Sequence, residues 1–232
     1  MNRPTKIHLE IVTALAGLSA CLVVCVGLYS SITGFVGEGS YSPVNHFVSQ
    51  LGLSYDSTNA WYFNRSLMMG GLLLFIFVQG LGSYFEPTMK IKMARFTGMI
   101  ASAAFGTVGY FTADVWVPHM AAASTFFFGA MMSVGLFTWV LWHDPQRRLH
   151  PSIAYQGIFI TGSYLIALFW PKDLLFAMVY DPVNFVRPAI WMLPILEWVY
   201  CLMLATWISM VSVNLLYIAL WQPNRQGMRS TP

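Results

Sequence analysis

The stretch IVTALAGLSACLVVCVGLYSSIT, Ile11–Thr33, decides the fold class. No charge occurs between Glu10 and Glu38, and about 20 consecutive apolar residues are enough to cross a bilayer core. The rest of the chain agrees. Its 232 residues are 57% hydrophobic, 16% aromatic and only 9% charged, against roughly 25% charged in soluble domains. Mean hydropathy is +0.61. So few charges cannot coat a water-facing shell, and the composition is that of an integral membrane protein.

The charges punctuate the sequence. They leave uncharged or nearly uncharged runs at about 11–33, 61–85, 96–114, 120–142, 152–170 and 196–221, with Trp or Tyr at many ends, as interfacial belts require. These predict an all-α, six-helix transmembrane bundle forming a single domain over 1–232. Leu18-Ser19-Ala20-Cys21 has the form of a lipoprotein cleavage box, but apolar sequence continues ten residues past Cys21. An uncleaved first helix is therefore expected.

With both termini cytoplasmic, the inner segments hold Arg3, Lys6, Lys90, Lys92, Arg95, Arg147, Arg148, Arg225 and Arg229, and the outer side only Arg65, Lys172 and Arg187. That asymmetry obeys the positive-inside rule and sets the expected orientation, in a bacterial or archaeal cell membrane. The net charge of +3 comes from scattered residues with no basic stripe, which excludes nucleic-acid binding. Cys21, Cys25 and Cys201 all sit in apolar runs, so neither a disulfide framework nor a zinc knuckle is expected.

The inner connections are short and basic. Two outer loops, Gly34–Ala60 and Pro171–Pro194, are long, and long loops are disproportionately functional. In the first, Ser42-Pro43 is a helix-start signal, and Val44, Phe47, Val48 and Leu51 recur at helical spacing before Gly52. A short amphipathic helix over Ser42–Leu51 is expected to roof the bundle. Asp181-Pro182-Val183-Asn184 echoes Ser42-Pro43-Val44-Asn45.

Ionisable groups near membrane spans call for a functional hypothesis. Arg65 opens the second span, Asp114 closes the third, His119 opens the fourth and Glu197 the sixth, all at the outer depth, with His46 and Ser49 above them. Such a cluster is either structural, with Arg65 paired to Asp114 or Glu197, or a site. Metal binding is not expected, because no HxxxH or HExxH spacing is present. No histidine lies mid-span for haem and no lysine for retinal, and no cofactor is expected. Ser102, Thr107, Ser133, Thr161, Ser163, Thr206 and Ser209 read as bonds between helices, and Gly98, Ser102, Gly106 and Gly109 as a close-packing ridge.

The run Ser42–Gly52, followed by Phe63-Asn64 and Met69-Gly70-Gly71, resembles the signature of the six-pass family called domain of unknown function 998. Asp114 with Pro118-His119 and Ala122, and Glu197 with Trp207, resemble that family's later motifs, although Trp198 stands where a basic residue belongs. The family is distantly similar to the FGF-receptor-activating/autophagy-modulator six-pass proteins. A more remote likeness is to ceramidase-type lipid hydrolases. The resemblance implies the topology and a polar outer cluster, and names no activity.

The expected function is binding of a lipid head-group or partner subunit at the outer face through His46, Asn64, Arg65 and Glu197. The alternative is a membrane-embedded lipid hydrolase using Asp114, His119 and Ser49.

Overall fold

In a computed structural model, residues 3–37, 39–146 and 148–221 are described. Glu38, which bounds the first uncharged run, and Arg147, Arg225 and Arg229, which enter the charge asymmetry, lie outside them. Seven α-helices are present among the described residues: α1 (Arg3–Thr33), α2 (Ala60–Tyr84), α3 (Met89–Tyr110), α4 (Trp116–Trp142), α5 (Ser152–Phe169), the short α6 (Asp173–Tyr180) and α7 (Met192–Trp221). No strand occurs among these residues beyond an isolated bridge between Phe35 and Ser57.

Five helices, α1, α2, α4, α5 and α7, are long and apolar enough to cross a membrane. The third expected span is different. α3 begins at Met89, seven residues before the expected start, because Lys90, Lys92 and Arg95 form its first two turns instead of ending a loop. These charges and the Gly, Ser and Thr of its later turns lower its hydropathy. Its 22 residues are nonetheless long enough to reach across a bilayer core. Thr88 starts α3 by accepting the Ile91 N–H on its hydroxyl.

Helices adjacent in sequence pack side by side from α1 to α5, and α7 closes the ring between α5 and α1. The core runs through Phe77 and Leu81 of α2, Phe137 of α4, and Tyr200, Trp207 and Val211 of α7. The outward faces carry Leu22, Leu72, Phe96, Phe159 and Leu202, all exposed, as lipid contact requires. The expected small-residue ridge does serve close packing. A Cβ on Gly71 would come 2.6 Å from the carbonyl oxygen of Ser102 and 2.7 Å from the nitrogen of Gly106, so α2 and α3 touch backbone to backbone.

The hydroxyls behave differently from expectation. Ser102, Thr107, Thr161, Ser163, Thr206 and Ser209 all donate to carbonyls of their own helix one turn back. That bond is available without any neighbour, and it satisfies a hydroxyl in an apolar medium. Only Ser133 reaches across, to Ala94 O at 2.8 Å. Bonds between helices come instead from larger groups: Trp207 Nε1 to Ile153 O (3.1 Å), Tyr200 Oη to Phe127 O (3.3 Å) and Gln156 Nε2 to Met203 O (3.1 Å).

The expected Ser42–Leu51 helix is not continuous. Ser42 to His46 make one turn, with His46 N–H donating to Ser42 O at 2.9 Å. Phe47 is then extended (φ −68°, ψ 150°), and a 3₁₀ turn follows over Val48–Gly52. The Gln50 side chain breaks the run by accepting the Phe47 N–H at 2.9 Å, competing with the backbone for that donor. The echo at Asp181 is the same turn: Asn184 N–H donates to Asp181 O as Asn45 N–H donates to Ser42 O. Ser or Asp before Pro is turn chemistry, and it suffices to explain the repeat. The helix of the second long loop, α6, lies upstream of it.

Candidate functional site

The 34–59 loop is closed at its base. Val36 N–H donates to Asp56 O (2.8 Å), Thr58 N–H to Gly34 O (2.9 Å), and Ser31 Oγ to Leu51 O (2.6 Å). Its central part is stitched to α7 and to the segment before it. Trp191 N–H donates to Val44 O at 2.8 Å, and Val48 N–H donates to Glu197 Oε2 at 2.9 Å. Trp198 Nε1 donates to Tyr41 Oη (3.1 Å) and His46 O (3.3 Å). Phe47 packs edge-on against Trp191, with ring centres 4.9 Å apart, and Leu175 of α6 joins them in one apolar cluster. Thus the loop and α6 are both anchored over the same end of the bundle.

Beneath them lies a cavity of about 580 Å³, the size of a small-molecule site. The loop, α4, α5, α6 and α7 all line it. His46, Ser49, Asp114, His119 and Glu197 are brought together there, as the sequence suggested, with Gln50, Asp56, Lys172 and Arg187 beside them. Phe127, Tyr164 and Tyr200 form a mutually packed aromatic floor, with ring centres 5.3–6.2 Å apart.

Several of the polar residues are positioned by hydrogen bonds. His119 Nδ1 is 2.8 Å from Phe111 O. A carbonyl can only accept, so Nδ1 carries the proton and a neutral ring keeps its lone pair on Nε2. Asp114 accepts from the Thr112 hydroxyl and is close enough to act electrostatically on His119. Lys172 Nζ donates to the carbonyls of Leu168 (2.7 Å) and Trp170 (2.9 Å), capping α5. Arg187 donates from Nη1 to Asn45 O (2.9 Å) and Gln50 Oε1 (3.3 Å). Burial pushes the Asp56 carboxyl above its ordinary value, and the nearby Arg187 only partly counters this. Burial likewise raises the Tyr41 hydroxyl, with the Glu197 carboxyl adding to the effect.

Two expected site residues do not line the cavity. Asn64 Nδ2 donates to Gly52 O at 2.9 Å and holds the end of the loop. Arg65 is exposed, with its guanidinium 5.1 Å over the Trp61 ring, and it pairs with neither Asp114 nor Glu197. Helical periodicity explains the miss: Phe63, Ser66, Leu67 and Gly70 face the bundle, which turns Arg65 outward with Trp61, Met68 and Met69. The arginine at the site is Arg187, 122 positions later in the chain. Its location within a long loop was the only sequence signal. Among the described residues no group of three or more His, Cys, Asp or Glu side chains could hold a metal ion.

Comparison with curated proteins and with solved structures finds no match to either. Residues 18–214 match the family described as "Protein of unknown function (DUF998)". That match covers all of the chain from the middle of α1 to α7, including every residue lining the cavity, and the protein is therefore a multi-helix membrane protein of the DUF998 family.

Proposed function

We propose that this protein binds an amphipathic lipid, seating its head-group in the cavity beneath the 34–59 loop. The observation that carries the reading is the cavity itself, which joins the charged and hydrogen-bonding groups of the loops to an apolar, largely aromatic lining around Phe127, Tyr164 and Tyr200. A bilayer lipid has that same polarity profile. In this reading α3 is a sixth span, both termini are cytoplasmic, and the cavity opens at the outer face of a cell membrane. His46, Gln50 and Glu197 order the mouth from within, and Arg187 and Lys172 supply its cations. The test is native mass spectrometry of detergent-purified protein. A lipid adduct is expected on the wild type and not on Ala123→Trp, which fills the cavity. Equal adducts on both would remove the reading.

Hydrolysis of the bound lipid is the second reading, favoured by one observation: the bond to Phe111 leaves His119 Nε2 as a free-base nitrogen. Ser49 and Asp114 line the same cavity. His119→Asn separates the two, since Asn can keep the bond to Phe111 but cannot move a proton near neutral pH. Binding alone predicts retained lipid adducts and no lipid-hydrolysing activity in the wild type for the variant to lose. An activity abolished at unchanged melting temperature would make the protein a hydrolase.

A further inference from the structure

The charges at the cavity mouth are segregated by segment. Asp56 and Asp114 come from the 34–59 loop and the α3–α4 turn. Lys172 and Arg187 both come from the 170–191 segment. Tyr55 feels both carboxylates and Asp56 feels Arg187, so the two segments bring opposite charges within electrostatic reach of one another at the cavity. The apolar part is deep. From His119 to Phe127 on α4 the cavity descends about 12 Å, and from Leu193 to Tyr200 on α7 about 10 Å, at the helical rise per residue. Leu175, Met178 and Val179 of α6 wall the mouth on the side of the 170–191 segment, at the i, i+3, i+4 spacing of a single helix face.

From this division, and resting on the lipid-binding reading above, we infer that the occupant is a zwitterionic amphiphile, with a phosphate toward Lys172 and Arg187, an ammonium toward Asp56 and Asp114, and one alkyl chain reaching the Phe127, Tyr164 and Tyr200 floor. The other head-group classes fit less well. An uncharged sugar head would strip water from four charges and replace it with neutral hydrogen bonds. A purely anionic head would meet Lys172 and Arg187 but face the carboxyls of Asp56, Asp114 and Glu197, and a purely cationic head would do the reverse.

The experiment holds the full-length protein in amphipol and titrates it with four probes of equal chain length, each below its micelle threshold. They are dodecylphosphocholine, dodecyl phosphate, dodecyltrimethylammonium and dodecyl maltoside. Fluorescence of the tryptophans, which include Trp116 in the cavity wall, reports binding. The phosphocholine is expected to bind at least about tenfold tighter than each of the others, the equivalent of one charge-assisted hydrogen bond. Combining Lys172→Gln with Arg187→Gln should weaken the phosphocholine and the phosphate while sparing the ammonium. Combining Asp56→Asn with Asp114→Asn should weaken the phosphocholine and the ammonium while sparing the phosphate. If the phosphate, ammonium or maltoside binds as tightly as the phosphocholine, and Ala123→Trp still blocks it, the zwitterion is wrong and the lipid-binding reading stands. If no probe binds saturably, or binding survives both Ala123→Trp and Ala167→Phe in variants that keep the wild-type melting temperature, both inferences fall.

Discussion

Glu197, in the second turn of α7, accepts the backbone N–H of Val48 at 2.9 Å across 149 positions of chain. The bond ties the 34–59 loop to α7 and places a carboxyl in the wall of the cavity. Gln retains an acceptor oxygen of the same reach, whereas Leu leaves a part-buried N–H without one. We predict that Glu197→Gln keeps the melting temperature near wild type and that Glu197→Leu destabilises by about 1–3 kcal/mol. Thermal melts in one detergent decide it, and equal stability of the two variants would contradict the bond's role.

The two arginines at this end of the bundle should separate sharply. Arg187→Leu removes the bonds to Asn45 O and Gln50 Oε1 and should cost about 1–3 kcal/mol. Arg65→Leu loses an exposed contact with Trp61 and should cost about 0.5–1 kcal/mol at most. A larger loss for Arg65 than for Arg187 in paired melts would restore the salt bridge that the sequence suggested.

At the opposite end, buried Asp144 accepts the N–H of Arg148 at 2.9 Å and that of Gln146 at 3.3 Å, and pairs with the Arg148 guanidinium at 3.3 Å. Burial alone would push its carboxyl up, but these bonds outweigh burial and hold it below the ordinary value. A depressed carboxyl stabilises the fold above its unfolded-state value, and that stability is lost as pH falls through its folded-state value. Wild-type melting temperature should therefore fall as pH drops below the usual carboxylate range, and Asp144→Asn should flatten that fall. Parallel profiles for the two proteins would exclude Asp144 as a source.

Gly71 is where α2 meets the backbone of α3. A methyl group there cannot be accommodated by a rotamer change, because the atoms it meets belong to the main chain. We predict that Gly71→Ala destabilises by about 1–3 kcal/mol. A neutral result would mean that the two helices can separate at no cost.

Orientation is open to direct measurement. Cysteine at Gly39 should react with a membrane-impermeant thiol reagent added to intact cells, and cysteine at Gln146 should not, following the Lys and Arg asymmetry. Labelling at Gln146 alone inverts the topology and moves the cavity to the cytoplasmic face.

Much of the helix count was legible because charge is so costly in hydrocarbon that it marks where helices emerge. The same rule misplaced the start of α3. Lys90 stacks its ammonium 5.0 Å from the Trp139 ring, and Arg95 donates to Gln79, so both charges are accommodated on a helix and end nothing. The inward face of α2 was illegible for a related reason. Lipid and core are equally apolar, so Met68 and Leu67 read alike although one is exposed and the other buried. The cavity was half visible. Asp114, His119 and Glu197 flank apolar runs and betray their depth, whereas Asp56, Lys172 and Arg187 sit in ordinary polar loops. Only the folding of those loops over the bundle makes them neighbours.

The ring order of the helices has a consequence for biogenesis. Of the described helices α7 is made last, yet it touches both α1 and α5 and furnishes Glu197 and Tyr200 to the cavity. While the ribosome is still producing α6, the ring has an open seam, and the 34–59 loop lacks Glu197, Trp191 and Trp198 to hold it. A nascent chain arrested there would present a cleft flanked by α1 and α5, the kind of half-finished surface that membrane quality control can read. Completion of α7 would close the seam, seat the roof and form the cavity in one step.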